Sequence, residues 1–168
     1  MSTSPQALVR EELVLAIAAL LPSTMPFYNA QKAQRINWRV LIEIAEKGKA
    51  GGLTPPWTVI WSGGSQSTDQ YGLANDTFIQ RYTLWWVESL RNPDGSARTT
   101  FEVRAAIEDG LSDVRTSLRG VQFTNFTLLD VGAITVSEET EVNKFFIGSN
   151  LPFEAGQCDF ELVWGTSP

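Results

Sequence analysis

Apolar residues recur at helical spacing in three stretches of the chain, residues 5–21, 31–47 and 99–119. In the first stretch Leu13 and Ile17 belong to an i, i+4 stripe, and Ser4 before a proline is typical of a helix N-terminus. The pattern therefore predicts an N-terminal amphipathic helix. The second stretch also favours a helix, although its central residues 38–44 fit a strand as well.

The helix at residues 99–119 is the best defined of the three. Thr99 and Glu102 match a capping box, in which a threonine and a glutamate three residues later satisfy each other's backbone N–H groups. Apolar residues then follow at 4-4-3-4 spacing over residues 103–118, and Gly120 suits the position just after the last turn. The sequence thus predicts a central helix with one buried face.

Strand patterns occupy much of the remaining chain, at residues 57–61, 78–89, 123–137 and 158–164. In the last of these, Cys158 and Phe160 fall on one face and Asp159 on the other, which predicts a half-buried strand. Trp85 and Trp86 are neighbours in the second strand, so their side chains point to opposite faces. This pair implies that both faces of that strand are covered.

Two stretches carry neither pattern and are predicted to be long loops or arms. Residues 62–77 are polar and rich in glycine, and residues 138–152 are acidic before they become aromatic. Strands around one well-capped helix favour a single α+β domain over residues 1–168. We expect a mostly antiparallel sheet that packs, on one face, against the N-terminal helix and the central helix.

Composition narrows the functional classes. The 168 residues contain no histidine and one cysteine, which excludes histidine-based triads, imidazole metal sites and intrachain disulfides. Thirteen Lys and Arg face nineteen Asp and Glu, and the formal charge of −6 disfavours a duplex DNA binder. No basic segment precedes the first apolar stretch, as a signal peptide would require, and no apolar run is long enough to cross a bilayer. We expect a soluble cytosolic chain without cofactor, metal or membrane contact.

Three features could carry chemistry, and each has a simpler interpretation. Gly63 and Gly64 follow a strand, but the lysine of a phosphate-binding loop is missing, which favours a flexible loop tip. Cys158 has no histidine to activate it and is interpreted as a buried structural thiol. The acidic loop residues lack the spacing of a calcium loop, so a solvated surface is favoured. These acidic candidates are Asp69, Asp76, Glu138, Glu139 and Glu141.

The aromatic residues are the strongest positive signal. The chain has six Trp and nine Phe, whereas charged residues make up only 19%. Protein interfaces are enriched in large aromatic residues, so some of these side chains are candidates for contacts with another subunit or a partner. The candidate interface residues are Trp61, Trp85, Trp86, Phe145 and Phe146.

The order of these elements resembles that of the tail terminator, or tail completion, proteins of long-tailed bacteriophages. The resemblance lies in the N-terminal amphipathic helix, a proline-marked strand at 55–60, a strand at 81–87, a helix at 101–118 and a closing strand at 153–164. It implies a structural protein and not an enzyme. Members of the family form a six-fold ring that caps the tail tube, stops its polymerisation and meets the head–neck connector, while DNA passes through the lumen.

For this chain the resemblance implies assembly in the host cytoplasm and a place in the tail or neck of the virion. Its partners would be further copies of itself, the tail tube protein and the connector protein. The aromatic candidates would contact subunits or tube, and the acidic candidates would lie in loops or in the lumen. Because like charge repels phosphates, an acidic lumen would let DNA pass without specific binding.

Other functions remain open at this level. One is a head–tail connector, a stopper or a tube-like subunit of the same virion. Another is a small hydrolase or transferase that uses carboxylates, with Asp69, Asp76, Glu138 and Glu139 as candidates. A small-ligand-binding module is the last, and it predicts a deep apolar cavity.

Overall fold

The computed structural model describes residues 4–21, 27–29, 55–67 and 77–165 of the chain. The predicted helix at residues 31–47 lies outside these described residues. The elements, in chain order, are α1 (Pro5–Leu20), β1 (Phe27–Asn29), β2 (Trp57–Ser67), β3 (Thr77–Ser89), α2 (Thr100–Arg119), β4 (Thr127–Thr135), α3 (Glu141–Gly148) and β5 (Phe153–Gly165).

The described strands form one sheet in the order β1-β2-β3-β5-β4. β1 runs parallel to β2, whereas every other neighbouring pair is antiparallel. The longest pair is β3 with β5, thirteen residues each, paired without a break from Thr77 opposite Gly165 to Ser89 opposite Phe153. The α+β class with a mostly antiparallel sheet is confirmed.

The alternation of side-chain direction along β3 and β5 determines which of their residues contact α1 and α2. Tyr82 lies opposite Phe160 and Leu84 opposite Cys158, and all four side chains are buried. They belong to one cluster with apolar residues of both helices, so α1 and α2 cover this face of the sheet. The helical members are Val9, Leu13 and Ile17 of α1 and Val103, Ile107, Leu111, Val114 and Leu118 of α2.

Both predicted helix starts are confirmed by their caps. The Ser4 side chain accepts a hydrogen bond from the Ala7 N–H at the start of α1, at 3.2 Å. The Thr99 side chain accepts one from the Glu102 N–H at the start of α2, at 3.1 Å. Gly120 is the C-cap of α2, where its own N–H donates to the Ser117 carbonyl. The caps satisfy backbone groups that the helices leave without an intrahelical partner.

The prediction of a loop over residues 62–77 is wrong at both ends. β2 continues through Ser67, and β3 already begins at Thr77. A bulge between Ser62 and Gly64 absorbs the irregular glycine pair, so these glycines belong to a strand and not to a loop tip. The segment is extended because β3 supplies hydrogen-bonding partners along it, which its polar composition could not reveal. Residues 68–76 lie outside the described part of the chain.

The second predicted loop, residues 138–152, is also wrong, because it contains helix α3 (Glu141–Gly148). Val142 and Phe146 are four residues apart and both are buried. Phe146 packs edge-on against Phe153 of β5, with 5.7 Å between the ring centroids. An eight-residue helix is too short to be stable alone, so these tertiary contacts hold it.

α3 lies on the face of the sheet opposite to α1 and α2. Phe153 is five residues before Cys158 in β5, so strand alternation points their side chains to opposite faces. Since Phe146 packs on Phe153, α3 covers the second face at this end of the sheet. The expectation that helices cover one face only is therefore corrected.

Asn143 of α3 continues the hydrogen-bonding pattern of the sheet where β4 has ended at Thr135. Its side-chain oxygen accepts from the Ala155 N–H, and its side-chain nitrogen donates to the Ala155 carbonyl, both at 2.8 Å. The same nitrogen donates to the Ser137 carbonyl at 2.7 Å. A buried side-chain amide thus replaces a strand residue along this part of β5.

Glu12 ties α1 to the turn that leads into β4. Its carboxylate accepts hydrogen bonds from the Thr124 N–H, the Asn125 N–H and the Asn125 side chain. Partial burial raises the pKa of Glu12, but these hydrogen bonds outweigh it, and the net result is a lowered pKa. A lowered pKa in the folded state means that the charged form stabilises the fold.

We therefore expect Glu12→Gln to lower the free energy of unfolding at pH 7 by about 1 kcal/mol. This value already allows for screening of the partly exposed carboxylate by solvent. The stabilisation is present above the unfolded-state pKa of about 4.5 and is lost as pH falls through the lower folded-state value. Urea unfolding of both proteins between pH 7 and pH 3 should show the difference shrinking toward zero. Glu11→Gln, at an exposed neighbouring position, is the control and should change stability by less than about 0.5 kcal/mol. A Glu12 effect that is constant with pH would contradict this assignment.

Candidate functional site

Trp85 and Trp86 are both buried, at 4% and 8% exposure, which confirms that both faces of β3 are covered at this position. The indole Nε1 of Trp86 donates to Glu88 at 3.1 Å, and the ring lies where a side chain on Gly110 of α2 would be. Trp86 is therefore part of the hydrophobic core. The prediction that these two residues form an interface is wrong, because buried side chains offer no area to a partner.

The remaining aromatic candidates differ in their surroundings. Phe146 is fully buried and supplies no docking surface, so its interface prediction is also wrong. Phe145 is half-buried, and its ring centroid lies 5.9 Å from that of Phe146. Trp61 lies on β2, opposite Thr83 in the register.

Three of the five acidic candidates lie in the described part of the chain. Glu138 and Glu139 lie in the turn before α3, and Glu141 in its first turn, and all three are exposed. Glu139 forms an exposed ion pair with Lys144 at 3.5 Å. Asp69 and Asp76 lie outside the described residues. The structure thus brings three of the five acidic candidates to one end of α3.

Two buried carboxylates were missed by the sequence analysis. Glu88 and Glu154 lie opposite each other on β3 and β5, on the face covered by α2. Glu88 pairs with Arg98 at 2.9 Å, and Glu154 with Arg104 of α2 at 3.3 Å. Because each carboxylate has its own arginine, we interpret the pairs as structural links between the sheet and the start of α2.

Cys158 is buried, and its thiol donates to the Gly132 carbonyl of β4 at 3.4 Å. Burial raises the pKa of this thiol to about 11, against a smaller lowering by Arg115. The group is protonated at neutral pH, as the interpretation of a structural thiol predicts.

The sheet surface beyond α3 is open and rich in charge. Arg81 pairs with Glu161 at 3.0 Å, with 73% and 32% of the two side chains exposed. Thr83 donates to Asp159 at 2.7 Å. Asp130 of β4 lies opposite Glu161, so two like charges are neighbours across strands, an arrangement that destabilises a sheet. Among these described residues, carboxylates therefore outnumber cations.

A patch of exposed apolar side chains lies near the N-terminal end of α2. Leu90 and Ile147 line one hollow together with Thr100, and Phe101 is the next residue of α2. The exposed fractions are 37% for Leu90, 63% for Ile147 and 82% for Phe101. We call Leu90, Phe101 and Ile147 the Phe101 patch. A signal for Phe101 exists in the sequence, because this apolar residue falls off the stripe that Val103 begins.

A groove lies near the other end of α2, between its last turn and β4. It has a volume of about 410 Å³. The rings of Phe123 and Phe126 stack beside it at 4.3 Å, and Leu129 is 50% exposed at this position. We call this feature the β4 groove, and its lining residues include Leu118, Arg119, Phe123, Phe126, Leu129 and Asp130.

Comparison of the chain with known protein-family models and with curated proteins found no match. Within the described ranges, no group of three or more Cys, Asp and Glu residues is placed to share a metal ion. The helices in the described part of the chain fall short of the length and apolar character of a membrane span.

Proposed function

We propose that this chain is a structural subunit of a bacteriophage virion, a tail terminator that forms a ring on the end of the tail tube. The observation that carries the proposal is the asymmetry of the sheet. One face is packed by α1 and α2, whereas part of the other face displays Asp159, Glu161 and Arg81 to solvent. A subunit of this kind can turn a charged sheet surface toward a lumen while its helices face outward.

The charge pattern suits a channel for DNA. Asp130 opposite Glu161 is unfavourable within the subunit, and Arg81 compensates only one of these carboxylates. An excess of negative charge repels phosphates, so DNA slides past without being held. The ring stops tube growth, and its other side meets the head–neck connector.

The exposed apolar residues support assembly. Phe101, Leu129 and Ile147 are each at least half exposed. Large exposed apolar side chains grouped in patches mark surfaces that meet other proteins. The Phe101 patch and the β4 groove lie at opposite ends of α2 and are unlike surfaces, as ring contacts of this kind require.

The purified chain, alone and mixed with the tail tube protein of its phage, tests the proposal by negative-stain electron microscopy and analytical ultracentrifugation. We expect a closed ring, six-fold as in the family it resembles, and tubes whose ends carry that ring and no longer elongate. A chain that stays monomeric at micromolar concentration in both conditions would contradict the proposal. Binding to connector proteins without binding to the tube would instead assign it as a stopper in the neck.

A further inference from the structure

We infer that successive copies of this chain join head to tail, with the Phe101 patch of one copy seated in the β4 groove of the next. The inference rests on the proposed function for the existence of a ring, and it assigns the residues that build the contact. Phe101 lies in the first turn of α2 and exposes 82% of its surface. A free phenyl ring of this kind is stabilised when another surface covers it.

The β4 groove has the size to accept that ring. An aromatic ring requires on the order of 150 Å³, as a cavity that binds benzene shows. The groove of about 410 Å³ therefore has room for the ring of Phe101. Of its stacked pair, Phe126 is buried, whereas Phe123 is half-buried and offers part of its ring for an aromatic contact.

The positions of the two surfaces make the contact intermolecular. The Phe101 patch lies at the start of α2, and the groove contains Leu118 and Arg119 from its last turn. The helix has twenty residues, which corresponds to about 30 Å between these ends. A patch cannot reach its own groove over that distance. Contacts between two unlike surfaces of identical chains generate rings or filaments.

The charges beside the two surfaces are complementary. Glu102 follows Phe101 and is exposed, and Glu138 and Glu141 lie near the same end of the subunit. Arg119 lines the groove, is exposed and forms no ion pair among the described residues. Seating Phe101 in the groove brings Glu102 of one copy toward Arg119 of the next.

The groove also contains Asp130, whose negative charge is complementary to the positive charge of a second exposed residue near the Phe101 patch. Arg91 directly follows Leu90 and is exposed. An arrangement with acidic and basic groups on each surface aligns in one orientation only, because the reverse orientation places like charges together.

Strand addition is the alternative way to join copies at β4, which is the edge strand on this side among the described strands of the sheet. β4 is irregular at two places, between Leu128 and Asp130 and between Val131 and Ile134. Such bulges interrupt the regular row of free backbone groups and protect an edge against pairing. Side-chain insertion is therefore the contact that this edge favours.

The first test replaces Phe101 by serine and measures assembly by sedimentation velocity, with tube capping as a second readout. Because Phe101 is 82% exposed, Phe101→Ser should keep the wild-type circular dichroism spectrum and melting temperature. We expect at least a tenfold increase in the dissociation constant between copies. Leu15→Ser is the matched control, since Leu15 is 63% exposed on α1 and lines neither hollow, and it should assemble normally.

The second test reverses the charges of the proposed pair. Glu102→Lys and Arg119→Glu should each weaken assembly about tenfold, and the double variant Glu102→Lys with Arg119→Glu should recover most of the loss. Such rescue requires that the two residues meet, which a general effect on folding would not produce.

The outcomes separate this inference from the proposed function. Rings that cap tubes but are insensitive to all of these substitutions would overturn the inference and leave the function intact. Phe101→Ser rings that form normally but no longer attach to tubes would assign the patch to the tube and also overturn it. Head-to-tail oligomers that depend on Phe101 but do not cap tubes would support the inference and contradict the function. A chain that is monomeric under all conditions overturns both.

Discussion

Gly110→Ala should lower the free energy of unfolding by about 1–3 kcal/mol, although alanine is ordinarily the better residue inside a helix. Gly110 lies in α2, and a Cβ atom there would overlap the indole ring of Trp86. The ring cannot move aside freely, because it is buried and its Nε1 is hydrogen-bonded to Glu88. Overpacking therefore exceeds the gain of about 1 kcal/mol that the propensity of alanine provides.

Gly148→Ala is the matched control for this prediction. Gly148 lies in α3, and a Cβ atom there would have no neighbour within 4 Å. Alanine should leave stability unchanged or raise it by up to about 1 kcal/mol, because it restricts the unfolded chain. Urea unfolding followed by tryptophan fluorescence measures both variants. Equal stabilisation of the two would show that the indole of Trp86 has room to shift.

Asn143→Ala should have an effect of similar or greater size, a loss of about 2–4 kcal/mol. Three hydrogen bonds disappear, and the N–H and carbonyl of Ala155 are left without their partner inside the protein. Ala155 is fully buried, so water replaces these bonds poorly. The variant should also loosen α3, because Asn143 joins that helix to β5.

Two further variants identify the cause of this loss. Lys144→Ala changes the next residue of α3, which is exposed, and should shift stability by no more than about 0.5 kcal/mol. Asn143→Asp keeps an acceptor for the Ala155 N–H but lacks the donors, and it places a carboxylate beside two carbonyl oxygens. It should therefore be at least as unstable as Asn143→Ala in urea unfolding at pH 7. Wild-type stability of Asn143→Asp would contradict the strand-like role of the amide.

Hydrogen exchange gives an independent view of the same contact. In the Asn143 variants the Ala155 amide should exchange faster than that of Phe160, which lies in the middle of the β3–β5 pair. Equal acceleration at both positions would indicate global unfolding and not a local opening of the sheet edge.

The sequence predicted elements well where neighbouring residues alone decide them. α1 and α2 begin within one residue of the predicted positions, because Ser4 and Thr99 cap them locally. β5 was predicted from its alternation, which the burial of Cys158 and Phe160 reproduces. Short-range hydrogen bonds and strand geometry do not depend on the rest of the fold.

The errors arose where a distant segment supplies the stabilising partner. Residues 63–67 form a strand because β3 pairs with them, although their composition is that of a loop. α3 forms because Phe153 and Ala155 of β5 provide a packing partner and hydrogen-bonding groups. Neither partner can be inferred from the local pattern.

The aromatic residues of the candidate site also depend on distant partners that the local sequence does not reveal. Their number indicates extensive packing, but it does not separate a core from an interface. Trp86 is a core residue because Gly110 of α2 has no side chain where the indole ring lies. Phe101 is exposed because it lies off the buried stripe of α2. The sequence therefore indicated only some of the exposed residues on which our proposals rest.

The sequence by itself determined the α+β class, the two capped helices, the alternating last strand, the acidic charge and the exclusion of histidine chemistry. Each of these follows from residue identity or from contacts within a few positions. The tertiary structure alone decided the strand order, the placement of α3 on the second face, the burial of Trp85 and Trp86, and the separation of the Phe101 patch from the β4 groove. These features depend on which distant segments meet, and their free energy comes from packing and hydrogen bonds between those segments.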